Sequence, residues 1–414
     1  MNVGILYFSL RGRFWILDYR KRVHSQVATS NSYVPNLKSK IQNPKLVALA
    51  LGLLLATNLH AAETPKWQQE WDRTVRAAEQ EGQVNVSIGG YGAVIESGVF
   101  QKSYPKIKVN YITGAGTDIT QRIVTERRGG KYLLDVYNGG GVSLYQVLYL
   151  GKMIEPIKPA LILPEVLDTG KWWEGKHKYS DKEREYVFVY EGNVSAGAGA
   201  AYNTQLVDTR EYKSYWDLFN SKLKGKILSS DIRRVRGAGI PWQFLYYSPE
   251  LGPKFLRRFF SEMEVTMSAD IRQSVDWLGA GKYSLILPIQ GGEVHRAKNQ
   301  GLAVEEFEPQ QFKEGVNLSS AFGSLALMNR APHPNAAKVF INWLLSREGQ
   351  ALFQKVISVP GDARNSRRID VPKDHVPANH VRRDKMAYFD TDDPDTKDLT
   401  PLYKLLDEVL PVKK

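Results

Sequence analysis

The sequence predicts an α/β protein built from two similar halves. Three observations predict it. A short strand, a glycine-bearing loop and a helix follow one another three times between residues 84 and 150. The same order returns after residue 226. Strands alternating with helices at this spacing imply βαβ crossovers and mostly parallel sheets, which gather their loops at the carboxyl edge of the strands. At 414 residues the chain is long enough for two or three folding units.

Taken in order, Trp67 to Glu81 reads as a helix, with Trp71, Val75 and Ala78 at helical spacing and Gly82 as its stop. Val84 to Ile88 alternates as a strand and runs through Gly89-Gly90-Tyr91-Gly92 into a helix carrying Val94, Val99 and Phe100. Ile107 to Ile112 is the second strand, Thr113 to Thr117 its loop and Asp118 to Arg128 its helix. Leu133 to Tyr137 is the third, with Asn138-Gly139-Gly140-Gly141 as loop and Val142 to Leu150 as helix. Tyr186 to Val207 reads as an extended crossover between the halves.

In the second half, Lys226 to Ser229 is a strand, Arg233 to Gly239 a basic loop and Ile240 to Tyr247 a helix. The helix Ile271 to Leu278, the strand Tyr283 to Pro288 and the loop Gln290-Gly291-Gly292-Glu293 repeat the theme. Ser324 to Met328 is a late strand. After it, Asn335 is expected to cap a helix whose Ala337, Phe340, Ile341, Leu344 and Leu345 form an apolar stripe. Arg367 to Asp398, rich in Pro, Asp, Lys and Arg, is expected to wrap the surface before a terminal helix from Leu402 to Leu410.

Charge and composition remove several classes of function. The net charge of +12 suggests nucleic acid only until it is divided along the chain: residues 1–62 carry eight Lys or Arg against Asp18. The remainder is near balance, so no nucleic-acid partner is expected. The absence of cysteine excludes disulfides, thiolate nucleophiles and Cys-type metal sites. The seven histidines are scattered along the chain, and no metal site is expected from them. No G-x-S-x-G, H-E-x-x-H, Walker or complete G-x-G-x-x-G motif is present, and Glu305-Glu306 would point to opposite faces of a strand. Neither an enzyme nor a bound cofactor is expected, and a secreted hydrolase ranks well below a binding protein.

Residues 46–56, LVALALGLLLA, follow a basic stretch and precede Ala61-Ala62. This is the order of a secretory signal, too short to span a bilayer, with cleavage expected after Ala61 or Ala62. The unusually long stretch ahead of it fits a start codon placed too far upstream. The mature protein is expected in the periplasm.

At Gly82-Gln83-Val84-Asn85-Val86, Tyr104-Pro105-Lys106-Ile107-Lys108-Val109, Leu134-Asp135-Val136-Tyr137, Gly225-Lys226-Ile227, Gly281-Lys282-Tyr283 and the run from Asn335 through Trp343 to Gln350, the chain resembles periplasmic solute-binding proteins of ABC importers, of the ferric-iron-binding type. That resemblance covers about residues 80–368. It implies the two-lobed type II periplasmic binding protein fold with a cleft between the lobes. The division it suggests is an N-terminal extension and signal peptide over 1–62, a first lobe over 63–200, a second over 201–308, a return to the first lobe over 309–355, and a C-terminal segment over 356–414 wrapping the second lobe. It implies a monomer that delivers a small solute to a membrane permease.

Iron-holding members of that family use a His, a Glu and a tandem Tyr-Tyr. The matching positions here fall near Tyr91, Gly140 and Gly291-Gly292, so direct ferric ligation is not expected. Tyr246-Tyr247 lies in an apolar helix and is read as packing. What remains suits an anion: glycine loops leave backbone N–H groups facing outward at helix N-termini, and guanidinium groups bind oxyanions bidentately. The expected ligand-binding residues are Gly90, Tyr91, Thr113, Gly114, Asn138, Gly139, Gly140, Arg236, Gly237, Arg272, Gln290 and Gly291. A ferric carrier using a synergistic anion is the second reading. A sensor partner of a receptor is a third, which sequence does not separate from transport.

Overall fold

In the computed structural model, residues 64–233, 239–289, 292–358, 364–378, 380–383, 386 and 388–410 are described below. The export segment, Arg236, Gly237, Gln290 and Gly291 lie outside them.

Two large sheets and one of three strands carry the described chain. The first contains β1 (Gln83–Ser87), β2 (Lys108–Ile112), β3 (Val136–Gly139), β4 (Ile154–Glu155), β5 (Lys178–Tyr179), β6 (Phe188–Val189) and β14 (Ser324–Met328), ordered β2-β1-β3-β14-β6-β5 with β4 beside β14. Its kernel is parallel, Gln83 facing Lys108 and Val86 facing Val136. Antiparallel strands extend it, β14 pairing Ala326 with Tyr137. The second sheet is β10 (Thr266–Ser268), β9 (Ile227–Ser230), β11 (Leu285–Ile286), β8 (Ala201–Asn203) and β12 (Val304–Glu306), in that order. Again one side is parallel, β10, β9 and β11, and β8 and β12 are joined to it by antiparallel pairing.

The inner strands β3, β6, β9, β11 and β14 are buried at every position, as strands covered on both faces are, whereas the edge strand β2 is partly exposed. In β14, Leu325 and Leu327 face one core while Ala326 and Met328 face another. In the second lobe Leu285 and Ile286 divide in the same way. The apolar stripe Ala337, Phe340, Ile341, Leu344 and Leu345 is fully buried against the first sheet. At roughly 1.5–3 kcal/mol per large side chain, it is a main anchor of that lobe.

Several boundaries differ from expectation, each for a local reason. The third strand begins at Val136 rather than Leu133, because Leu133 is nearly half exposed and outside the ladder. The following helix is one turn, Gly141–Ser143, that widens into a π-helix over Leu144–Tyr149. The segment after Tyr91 is two helices, Gly92–Glu96 and Val99–Ser103, parted at Gly98 with φ +70°. Asn335 does not cap its helix. That helix opens at Pro334 after His333, and the Asn335 amide donates to Glu81 on the first helix, 2.7 Å away.

Between the lobes the chain passes outward through β7 (Asn193–Ala196) and returns through β13 (Val316–Ser319), and these two strands pair antiparallel. A third strand, β15 (Tyr388–Asp390), lies parallel to β13. The C-terminal segment is therefore not a surface wrap of the second lobe. Its early part is buried on the first lobe, where the Arg368 guanidinium donates to Leu345 O and lies over the Trp172 ring. Its middle is part of the hinge: Asp390 pairs with Lys178 at 2.9 Å and Arg367 at 3.2 Å. Beyond it, Asp392 accepts from Ser320 and pairs with Lys397, both partners buried. Gln243 of the second lobe donates to Thr391 O and Thr396. The last helix, Thr400–Val409, then buries Leu402, Leu405 and Leu406 in the second lobe.

Two outcomes follow from this packing. Gly199 has φ +60°, and a Cβ there would sit 2.1 Å from the Ile289 carbonyl oxygen. Gly199→Ala should therefore lower unfolding free energy by roughly 2–4 kcal/mol in a denaturant titration. An unchanged midpoint would contradict the packing at that turn. Burial pushes the Asp390 carboxyl up, yet Arg367 and Lys178 outweigh it and hold it at about 2. A depressed folded pKa gives stability that is complete above about pH 4 and lost as pH falls toward 2. The stability difference between wild type and Asp390→Asn should shrink across that window, and a difference constant with pH would sink the assignment.

Candidate functional site

The loops after β1, β2 and β3 converge at one edge of the first sheet, as parallel strands require. The turn between β13 and β14 joins them. Gly114 N donates to Gly89 O at 3.3 Å, and Gly92 packs on the Thr113 methyl. Phe322, from the β13–β14 turn, lies across Gly89 and Gly90, where added Cβ atoms would be 3.3 and 3.5 Å from its ring. Gly139 could carry no side chain, since a Cβ would come within 2.8 Å of the Tyr137 ring.

Seven of the expected ligand residues are thus brought together: Gly90, Tyr91, Thr113, Gly114, Asn138, Gly139 and Gly140. Their exposure divides them. Gly90, Thr113 and Gly114 are exposed and Gly140 is half-buried, whereas Tyr91, Asn138 and Gly139 are buried. Tyr91 is corrected from a ligand-facing to an inward-facing residue, its hydroxyl donating to Glu191 Oε2 at 2.5 Å. Burial, and then the Glu191 carboxylate, push its phenol well above the ordinary range, so it stays a hydrogen-bond donor. Asn138 is corrected likewise: its amide donates to Phe322 O at 2.8 Å and to Ser324 O, and its oxygen accepts from Tyr190.

These inward residues form a buried network that sequence reading missed. Glu191 lies just before the outgoing hinge strand, fully buried. Beyond Tyr91, it accepts from Asn193 at 2.6 Å, and the Arg364 guanidinium is 3.6 Å away. Arg367 donates to its carbonyl at 3.0 Å. Gly323 is required beside it, because a Cβ there would fall 2.2 Å from Glu191 Cβ. A lone acidic residue ahead of a short strand gives no sequence signal of this role.

The exposed rim has donors to offer. The helices Gly92–Glu96, Gly116–Arg128 and Gly141–Ser143 begin beside it with no side-chain cap hydrogen bond, Gly92 and Gly141 buried and Gly116 half-buried. Opposite, the helix Gly239–Tyr247 of the second lobe starts close by: a Cβ on Gly239 would be 3.8 Å from Val142 of the first lobe. The two lobes therefore approach each other at these helix starts. Phe244 of that helix lies on Gly197, where no side chain would fit.

The second lobe contributes less than expected among the described residues. Arg272 is exposed, its guanidinium directed to Asp276 on its own helix and to Gln300. None of these partners belongs to the loops just described, so the structure does not bring Arg272 to them. The first arginine of the basic loop, Arg233, binds Asp231 with two nitrogens and reaches Asp407. Tyr246 and Tyr247 pack on the second core, and the Tyr247 hydroxyl donates to Asp398 O. Among the described residues, no three His, Asp or Glu side chains come together as a metal would require.

A family model for bacterial extracellular solute-binding proteins matches residues 85–351. The chain belongs to that family. Members of this family are binding proteins, and the family's name places them outside the cytoplasm. The match spans both lobes and both hinge strands. Among curated proteins none matches the chain by sequence. Solved structures similar in fold include the Trichodesmium protein FutA, also called IdiA, with iron and citrate (TM-score 0.56, 18% identity, covering 79% of this chain and 99% of that one). Iron-bound HitA from Pseudomonas aeruginosa gives a TM-score of 0.55 at 17% identity, with 79% and 99% covered. AfuA from Actinobacillus pleuropneumoniae, with fructose-6-phosphate bound, gives 0.53 at 19%, with 79% and 97% covered. At these identities the likeness is one of fold, that of two-lobed type II periplasmic binding proteins.

The network yields a stability test. Tyr91→Phe removes one hydrogen bond to a buried carboxylate and should cost about 1.5–3 kcal/mol in urea unfolding. A loss within error of zero would show that the Tyr91–Glu191 bond is not a support of this loop cluster.

Proposed function

We propose that this protein captures a small anionic solute between its two lobes and delivers it to the permease of an ABC importer. The observation that carries the reading is the rim of the first lobe. Exposed Gly90, Thr113 and Gly114 and half-buried Gly140 surround helix starts that lack side-chain caps. Helix N-termini hold partial positive charge and unused N–H donors, which suit phosphate or carboxylate oxygens. The fold relative solved with fructose-6-phosphate makes a phosphate monoester a reasonable first probe.

From the second lobe the reading takes Arg236 as the charged partner, with Gly237, Gln290 and Gly291 supplying backbone and amide donors. In sequence all four follow β9 or β11, the strands whose carboxyl ends gather ligand loops in such sheets. Closure would be a hinge motion about β7 and β13, which trap the solute as the lobes swing together. The solute leaves chemically unchanged. Export through a signal ending at Ala61 or Ala62 belongs to this reading, as does action as a monomer. The ferric alternative draws on the FutA structure with iron and citrate.

Titration calorimetry with phosphate monoesters and with di- and tricarboxylates, the latter with and without Fe(III), tests the proposal. Heat with one anion class, and at least tenfold weaker binding by Arg236→Ala at unchanged melting temperature, is the expected result. Binding of citrate only when Fe(III) is present would favour the ferric carrier. No heat with any of these would overturn the anion reading.

A further inference from the structure

We infer that Phe322 is a stacking platform for the solute, so that the preferred ligand carries a planar apolar face next to its anionic group. The inference rests on the anion-binding reading and narrows it to aromatic anions.

Phe322 stands where the returning hinge strand enters the first sheet, between β13 and β14. Of the aromatic residues around these loops, Tyr91, Tyr137 and Tyr190 are buried to within 1%. Phe322 is left partly open. Its ring covers the glycines of the first loop and reaches toward Gly140 in the third, so its open part borders the same rim as the uncapped helix starts. A phenyl ring kept partly wet at a cleft rim costs apolar exposure that burial would recover, at roughly 25 cal/mol per Å².

The backbone holding it is built to keep it there. Ala321, just before it, has φ +47°, a conformation that residues with a Cβ rarely adopt. Such strain persists only where the surroundings impose it. Here they do: Ser320 is held by Asp392 through its N–H and hydroxyl, the Phe322 carbonyl by Asn138, and Gly323 by contact with Glu191. The Tyr91 hydroxyl is 3.4 Å from Phe322 N, and its ring meets the Phe322 ring edge-on at 5.6 Å. Tyr91 meets the ring edge-on, and Gly89 and Gly90 lie against it, so a ligand has the solvent-open part of the ring to lie on. Aromatic pairs gain most from offset or edge-on geometry, so a planar ligand face laid on this ring would gain beyond its area alone.

The test compares anion pairs that differ by a ring. Phenyl phosphate against inorganic phosphate, and benzoate against acetate, are titrated into wild type, Phe322→Leu and Phe322→Ala. In at least one pair the ring-bearing anion should bind wild type ten or more times tighter. Phe322→Leu should erase that ratio while leaving the ringless anion's affinity within twofold. Equal affinities within both pairs in wild type, or a ratio unmoved by Phe322→Leu at unchanged melting temperature, overturn the stacking role and leave the anion reading intact. Absence of binding by all four anions overturns both. Should Phe322→Leu fold poorly, the Phe322→Ala titrations give the same comparison.

Discussion

The buried carboxylate of Glu191 is the constraint on which the arrangement depends. An unpaired charge in such a place would cost several kcal/mol, so each neighbour has to supply a donor. Tyr91 supplies one from the loop after the first strand, Asn193 another from the hinge strand, and Arg364 a positive charge from the C-terminal segment. Three regions far apart in sequence are thereby fixed at one point. The fourth, the turn between β13 and β14, is fixed by shape, since Gly323 alone among residues fits against Glu191 Cβ.

From that point the two functions of a binding protein separate physically. Inward groups hold, and in the proposed reading outward groups meet the solute. Tyr91 directly follows exposed Gly90 and Asn138 stands two residues before half-buried Gly140, but both spend their polar atoms on Glu191, Tyr190 and the backbone of the β13–β14 turn. The rim left to solvent is mostly backbone, with amide donors that carry no conformational entropy of their own to lose on binding. Rigid support behind backbone donors is the arrangement in which a small anion is bound at least cost in ordering.

The hinge adds a second constraint. Two antiparallel strands joining two lobes would leave two open edges, and β15 covers one of them. Asp390 ties that third strand to the first lobe through Lys178 and Arg367, while Gln243 and the Phe244–Phe389 ring contact tie it to the second. In the proposed closure, motion about β7 and β13 bends β15 as well. The C-terminal segment is thus part of the joint between the lobes, although its composition reads as surface chain.

Local pattern determined a large part of this protein. Alternating strands, the apolar stripe of the Pro334–Leu345 helix and glycines at the βα turns are dictated by backbone geometry and by burial of one face, both of which act over a few residues. They gave the α/β class, the two sheets and the edge where the loops gather. Which side chains at that edge look outward was not legible, because Tyr91 turns inward to donate to Glu191, 100 residues away. Nor could sequence show that Arg367 and Arg368 are buried, since arginine reads as surface unless its acceptors are known. Those assignments depend on partners brought together by the tertiary fold, and only the folded chain holds them within hydrogen-bonding distance.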